Sequence, residues 1–299
     1  MLAPVIAGVD GSAESLSAAE WAAREAVRRE RPLWLLHARN WHPRQDGEAA
    51  NAAQRHQARR VLRRAEDRVR RACPAVRLSE EQADGPATAA LLRAADRAEL
   101  LVLGSRGLSG FTGFLVGSVA LGVVAKATCP VVLVRAGEEP QDEHVPEADG
   151  GASDRTCYRD VVLGLDAGDP SDTVIDFAFA AARSRGARLR VLYAWQAPSA
   201  FELGPGDVAL ADRPQQAREW RGFLSAVLQV WRDKYPDVEV LECVPQGKAA
   251  SVLIKAASTA GLLVVGHHLA ERPLGPRTGP VTHAAVHHVS CPVAVVPLL

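Results

Sequence analysis

The chain has 299 residues, 47% hydrophobic and 23% charged, enough for about two globular domains of ordinary size. Its 35 basic and 35 acidic side chains cancel, which excludes a global electrostatic drive toward nucleic acid or an anionic membrane. No apolar run approaches the ~20 residues of a membrane span, the first ten residues show no basic stretch ahead of a long apolar one, so no secretory leader is expected, and five cysteines without a C-x-x-C pair point away from a disulfide framework or zinc ribbon and toward a reduced cytoplasm.

In chain order, Pro4–Val9 reads as a buried strand. Ser12 can cap the helix that follows, whose apolar face carries Leu16, Ala19, Ala23 and Val27. Leu33–Ala38 is a second strand. A helix is expected over about 51–72, where Arg55, Arg59, Arg60, Arg63, Arg64, Arg68, Arg70 and Arg71 alternate with Val61, Leu62 and Val69. With Glu66 and Asp67 among them, these arginines read as a solvated helix face in preference to a nucleic-acid patch. Val76–Gln82 is a third strand, and Gly85-Pro86 opens a helix to Ala98. Leu100–Leu103, Gly117–Thr128 and Pro130–Arg135 follow as strand, helix and strand.

The pattern then repeats. Val5–Ser12 returns at 161–168, with Asp10 meeting Asp166, and Leu36-His37-Ala38 returns as Leu-Tyr-Ala at 192–194. From Gly85 onward the offset lengthens by six residues and holds without a gap, pairing Gly104 with Gly266, Gly117 with Gly279 and Cys129-Pro130-Val131 with Cys291-Pro292-Val293. The chain is a duplication. Residues 1–136 and 158–299 are assigned to the two copies. Residues 137–157, rich in Glu, Asp, Pro and Gly, read as an exposed linker.

Strands alternating with helices predict an α/β fold with two tandem doubly wound domains. Each is expected to hold a five-stranded parallel sheet of order 3-2-1-4-5 flanked by helices. That order sets the tail of strand one, at Asp10, beside the tail of strand four, at Gly104, where such sheets bind ligands. After strand four come Gly104-Ser-Arg-Gly107, nine residues, and Gly117-Ser118 opening a helix. Glycines let backbone N–H groups approach a phosphate and turn with positive φ, and a helix start adds unpaired donors. Arg106 could add a charge-assisted bond, and Ser118 could donate its hydroxyl or cap the helix. Asp10 has two readings, contact with a ligand or capping of the first helix with Ser12. There is no Walker A pattern, and between Gly104 and Ser118 no Asp, Glu, His or Lys, so fast phosphoryl transfer is not expected.

The strand ending in Asp10, the G-x2-G-x9-G-S pattern of Gly104, Gly107, Gly117 and Ser118, and the Cys-Pro-Val final strand resemble the universal stress protein family in its tandem form. The resemblance implies an ATP-binding, cytoplasmic stress-response protein, the nucleotide arriving with or without Mg²⁺. It would set Gly8, Val9 and Asp10 near the adenosine and Ala38 at the adenine. Leu103, Gly104, Arg106 and Gly107 would line the ribose and phosphates, and Gly117, Ser118 and Val119 would take phosphate oxygens. The family also pairs domains through the last strand, so that Pro130–Arg135 and Pro292–Val296 would cover one another's edges. An unknown regulatory protein is the expected partner, with no nucleic acid or membrane, and further homodimerisation is left open.

The second copy departs from the pattern, with Leu269 in place of Gly107 and Pro280 in place of Ser118. Proline has neither N–H nor hydroxyl, so this copy is expected to bind ATP poorly. His283 and His287, four apart on a helix, could share a metal, but no third ligand completes an obvious set and no metal is expected. The leading reading is a nucleotide-binding regulator. A slow ATPase or phosphotransferase and a nucleotide-free scaffold are the alternatives.

Overall fold

The structure is a computed structural model, and it describes residues 2–39, 48–105, 116–166, 168–196, 213–269 and 278–298. The first copy forms β1 (Val5–Gly8), α1 (Ala13–Arg28), β2 (Leu33–Arg39), α2 (Glu48–Ala72), β3 (Leu78–Asp84), α3 (Ala87–Ala95), β4 (Leu100–Ser105), α4 (Ser118–Val124) and β5 (Val131–Arg135). After a 3-10 turn at Pro140–Glu143, the second forms β6 (Val161–Gly164), α5 (Asp172–Arg185), β7 (Leu189–Leu192), α6 (Arg213–Lys234) and β8 (Val240–Cys243). It closes with α7 (Ala249–Ala257), β9 (Leu262–His268), α8 (Pro280–His288) and β10 (Val293–Leu298).

Local chemistry sets the element ends. Ser12 caps α1 as expected, its hydroxyl accepting from the Ser15 N–H at 3.2 Å. At the far end of α5, Gly186 takes the left-handed conformation at φ 59°, which a side chain would resist. Periodicity predicted α4 to run to Thr128, but it stops at Val124. The N–H groups of Lys126 and Ala127 both turn back to the Val123 carbonyl, tightening the chain before Cys129-Pro130.

Each copy has the strand order 3-2-1-4-5, and within each copy every pairing is parallel. The two sheets are one sheet. Strand β5 pairs antiparallel with β10, Val293 opposite Leu133 and Val295 opposite Val131, giving the order β3-β2-β1-β4-β5-β10-β9-β6-β7-β8. Val131–Val134 and Val293–Val296 are buried on both faces, so apart they would expose long apolar edges. Helices α1, α2, α5 and α6 pack on one face of the sheet, and α3, α4, α7 and α8 on the other.

The segment between the copies corrects one expectation. Its middle is exposed, but Glu143 is 1% exposed and Glu138 and His144 are also buried. Glu143 accepts from Arg24 Nε at 2.9 Å and pairs with Arg28 Nη2 at 2.7 Å, both on α1. Alongside it Arg185 of α5 donates to Glu25 of α1 at 2.6 Å, and Arg29 donates to the other oxygen of Glu25 at 2.7 Å. Helices from the two copies thus meet through buried guanidiniums, and the connecting segment supplies one of the carboxylates that neutralise them.

Glu138 stands at the edge of this cluster with its pKa raised to about 8, by burial first and then by Asp142 and Glu143. A carboxyl raised above its unfolded value favours the folded state most below about pH 4.5, and that contribution is lost as pH rises to about 8. Glu138→Gln should therefore be more stable than the parent near pH 8 and equal to it near pH 4.5. Denaturant midpoints across that range measure this, and parallel pH profiles for the two proteins would refute it.

Candidate functional site

A cavity of about 480 Å³ opens over the carboxyl ends of β1, β2 and β4. In the sheet β1 lies between β2 and β4, with Gly8 opposite both Leu36 and Leu103. The chain leaves β1 for α1 on one face and leaves β4 for α4 on the other. The crevice at this divergence is where doubly wound sheets accept ligands. The cavity is lined by Gly8, Val9, Asp10, Ala38, Leu103, Gly104, Gly117, Ser118 and Val119. These are all the described residues that the sequence nominated. Arg106 and Gly107 lie outside the described residues.

The glycines work differently from the sequence argument. A Cβ on Gly104 would come within 2.6 Å of the Glu14 carbonyl carbon and 2.7 Å of the Ser15 nitrogen. The end of β4 therefore runs directly against the first turn of α1, and glycine there is demanded by packing whether or not a ligand binds. A Cβ on Gly8 would meet Leu103 Cδ2 at 2.6 Å. The expected positive φ occurs at Gly11, at +88°, just after Asp10, whereas Gly117 has φ −63°. Gly117 serves as the N-cap of α4, without a capping side chain, so the first amides of that helix keep no intrahelical partner. Ser118 and Val119, exposed at the cavity rim, carry two of them.

Asp10 fulfils its capping reading and still lines the cavity. Its Oδ1 accepts from the Ser12 N–H at 2.9 Å and the Ser12 hydroxyl at 2.6 Å. Burial pushes its pKa up, but the bonds from Ser12 and Ser15 outweigh this and leave it lowered, so it is a carboxylate at neutral pH. The buried Ser15 donates its hydroxyl to the Ser12 carbonyl at 3.0 Å and accepts from the Asp10 N–H at 3.3 Å.

His37, Leu36, Glu14, Ser15, Ala87, Leu91 and Ala120 also line the cavity without having been expected there, as does the capping residue Ser12. His37 Nδ1 lies 2.7 Å from the Val9 carbonyl; a carbonyl can only accept, so Nδ1 donates, and the bond ties β2 to the tail of β1. Its place beside Ala38 at a strand end was the available signal. With one oxygen of Asp10 and one nitrogen of His37 committed to the scaffold, the described walls are suited to holding a ligand.

The second copy has its own cavity, of about 550 Å³, lined among others by Gly164, Asp166, Tyr193, Ala194, Gly266, Gly279 and Pro280. Loss of the glycine pattern has not closed it. Asp166 repeats the turn of Asp10 by accepting from the Gly168 N–H at 2.9 Å, and Gly164 repeats the tight contact of Gly8, here with Leu253. Pro280 is the first residue of α8 where α4 has Ser118. Thr282 offers a hydroxyl, but donates it to the Gly266 carbonyl at 3.1 Å.

A sequence model of the universal stress protein family matches residues 1–135 and 158–297. The chain belongs to the universal stress protein family. A universal stress protein of Mycobacterium tuberculosis is 30% identical to it over 301 residues, covering 97% of this chain and 96% of that one. A second from the same organism is 31% identical over 294 residues, covering 98% and 95%. Among solved structures, a universal stress protein from Archaeoglobus fulgidus superposes with a TM-score of 0.71 at 16% identity, with 98% of both chains covered. The tandem arrangement of this universal stress protein is therefore a shared fold. Among the described residues no helix is long and apolar enough to cross a membrane.

The histidines of the second domain are divided by the fold. His283 and His287 have ring centroids 4.3 Å apart on α8, and no group of three His, Cys, Asp or Glu suited to a metal occurs among the described residues. His267 is buried on β9, and burial lowers its pKa against the opposing pull of a hydrogen bond to the Ala125 backbone. Leu269 is described but does not line the cavity, while Pro273 and Pro276 lie outside the described residues.

Proposed function

We propose that this universal stress protein is an ATP-binding regulator of the cytoplasmic stress response, holding one nucleotide in its first domain. The second domain serves as a structural or regulatory partner. One observation carries the reading: Asp10, Ala38, Gly104, Gly117 and Ser118, chosen for nucleotide chemistry, converge on one cavity at the sheet's switch point. Its volume lies within the usual range for small-molecule sites. In this reading the backbone at Ala38 meets the adenine, and Gly8, Val9 and Asp10 flank the adenosine. Leu103, Gly104, Arg106 and Gly107 follow the ribose and phosphates, whose oxygens, with or without Mg²⁺, take the amides of Gly117, Ser118 and Val119.

Binding is the function proposed; because Glu14, the second oxygen of Asp10 and Nε2 of His37 stand at the same wall, slow turnover is the alternative the assay must separate from it. Nucleotide would then bias the conformation or the choice of a protein partner.

Mass spectrometry of nucleotide released from purified protein, counted per chain and followed by equilibrium dialysis with ATP, tests this. One adenine nucleotide per chain is expected. Two per chain would overturn the assignment to the first domain, and no affinity at all would favour the scaffold. Release of ADP at a steady rate over hours would favour the slow enzyme. Gly104→Ala is unsuited to the test, since its Cβ would strike the α1 backbone.

A further inference from the structure

Against the expectation from sequence that these arginines form only a solvated face, we propose that the outer face of α2 binds the phosphate backbone of duplex nucleic acid without regard to sequence. The helix buries Ala58, Val61, Leu62, Ala65 and Val69 against the sheet and turns Arg55, Arg59, Arg60, Arg63, Arg64 and Arg71 to solvent. Several guanidiniums elsewhere, Arg24, Arg28, Arg29, Arg185, Arg190 and Arg232 among them, sit on carboxylates. On α2, Arg68 pairs with Glu20 and Arg70 with Glu66, and Glu80 of β3 lies in the field of Arg63. Arg55, Arg59, Arg60 and Arg64 form no ion pair among the described residues.

The duplication supplies an internal control. Helix α6 holds the equivalent place in the second copy, and its exposed face mixes Arg218, Arg221 and Lys234 with Glu219, Asp233, Phe223 and Val230, a sparser and interrupted set of cations. The dense, two-row array of arginines on α2 is therefore not something the fold repeats in its second copy. Nor is the charge a property of the whole molecule, whose net charge is zero.

Geometry selects the occupant. Arg55, Arg59 and Arg63 form one row and Arg60, Arg64 and Arg71 a second, about 100° further around the axis. Neighbours four apart in a row are separated by about 6 Å along a helix about 10–12 Å wide, close to the ~12 Å width of a B-form major groove. Two rows flanking one convex rod suit the two strands that border a groove, whereas an acidic peptide would engage one row. An anionic bilayer would attract the same charges, but its flat surface meets one side of a convex rod, not both rows, and the apolar face that would deepen such binding is buried in the sheet. Helix α2 contains no Phe, Tyr or Trp, so stacking on single-stranded bases is not offered.

The test is fluorescence anisotropy of the full chain with a mixed-sequence DNA duplex at low salt, repeated with an RNA duplex to separate the two sources. Arg59→Glu/Arg63→Glu should weaken binding at least ~10-fold, and should reduce the slope of log affinity against log salt by about 1.8. Arg155→Glu/Arg221→Glu makes the same change in net charge at exposed sites elsewhere, and should alter affinity less than ~2-fold. Arg59→Ala/Arg63→Ala, with circular dichroism, serves if the charge reversal disturbs folding. Absence of duplex binding by the parent chain would overturn the proposal. So would equal losses in both double variants, or capture by phosphatidylglycerol vesicles with no capture by duplex.

Discussion

Glu25→Gln is expected to lower the unfolding free energy by about 3–5 kcal/mol, the usual effect of removing one partner from a buried ion pair. The Glu25 and Arg185 side chains are 0% and 1% exposed, so the guanidinium left behind cannot turn to water. Glu143 lies 3.7 Å from Arg185 Nε and already serves Arg24 and Arg28, so it replaces the lost carboxylate poorly. The penalty comes from an uncompensated charge, so replacing both partners with apolar groups should recover most of it. Glu25→Leu/Arg185→Met is accordingly expected to be far closer to the parent than Glu25→Gln.

Burial alone would raise the pKa of Glu25, but Arg185, Arg29 and Arg28 hold it far below the usual carboxylate range. A depressed carboxyl contributes stability that is complete above its unfolded pKa, about 4.5, and is lost as pH falls below it toward the folded value. The gap between parent and Glu25→Gln should therefore be constant from about pH 5 upward and narrow in acid. Denaturant unfolding at several pH values measures both effects. A gap under ~0.5 kcal/mol at pH 7 would show that the cluster contributes nothing net.

Ser118→Pro is expected to weaken ATP binding in the first domain by about 10- to 100-fold while leaving the fold intact. It transplants onto α4 the chemistry that α8 has at Pro280. Fold tolerance follows from the backbone: Gly117 has φ −63° and ψ 149°, close to Gly279 at −57° and 160°, and this extended geometry suits a residue before proline. What is lost is one amide and one hydroxyl facing a charged phosphate, bonds worth about 1.5–3 kcal/mol when the acceptor is ionised. Ser118→Ala keeps the amide and should fall between parent and proline variant. Isothermal titration with ATP orders the three. Affinity unchanged in Ser118→Pro would mean that the start of α4 does not meet phosphate, and the proposed nucleotide pose would fail.

The reciprocal change asks whether the second cavity is disabled by Pro280 alone. At about 550 Å³ it is no smaller than the first, so volume does not limit it. Pro280→Ser should restore an amide but leave Leu269 where the first copy has Gly107. Any second nucleotide should therefore bind more weakly than the first.

Much of this protein was legible along the chain because the signals are local. The repeat, the strand order, the Ser12 cap and the convergence of Asp10 with Gly104 and Gly117 all follow from periodicity, capping chemistry and the right-handed crossover. The pairing of β5 with β10 was implied by family resemblance, and two apolar edge strands made it reasonable. What only the tertiary structure decided involves groups far apart in sequence. Gly104 is glycine because the α1 backbone passes where its Cβ would be, and nothing near residue 104 announces that. His37 belongs to the cavity wall because β2 lies beside β1. Glu143 belongs to an acidic connecting segment that reads as exposed, and nothing local marks Glu25 and Arg185, 160 residues apart on two helices, as buried partners. They are buried because the β5–β10 seam fixes the two domains so that α1, α5 and the connecting segment meet, where each charge is tolerated only through the others.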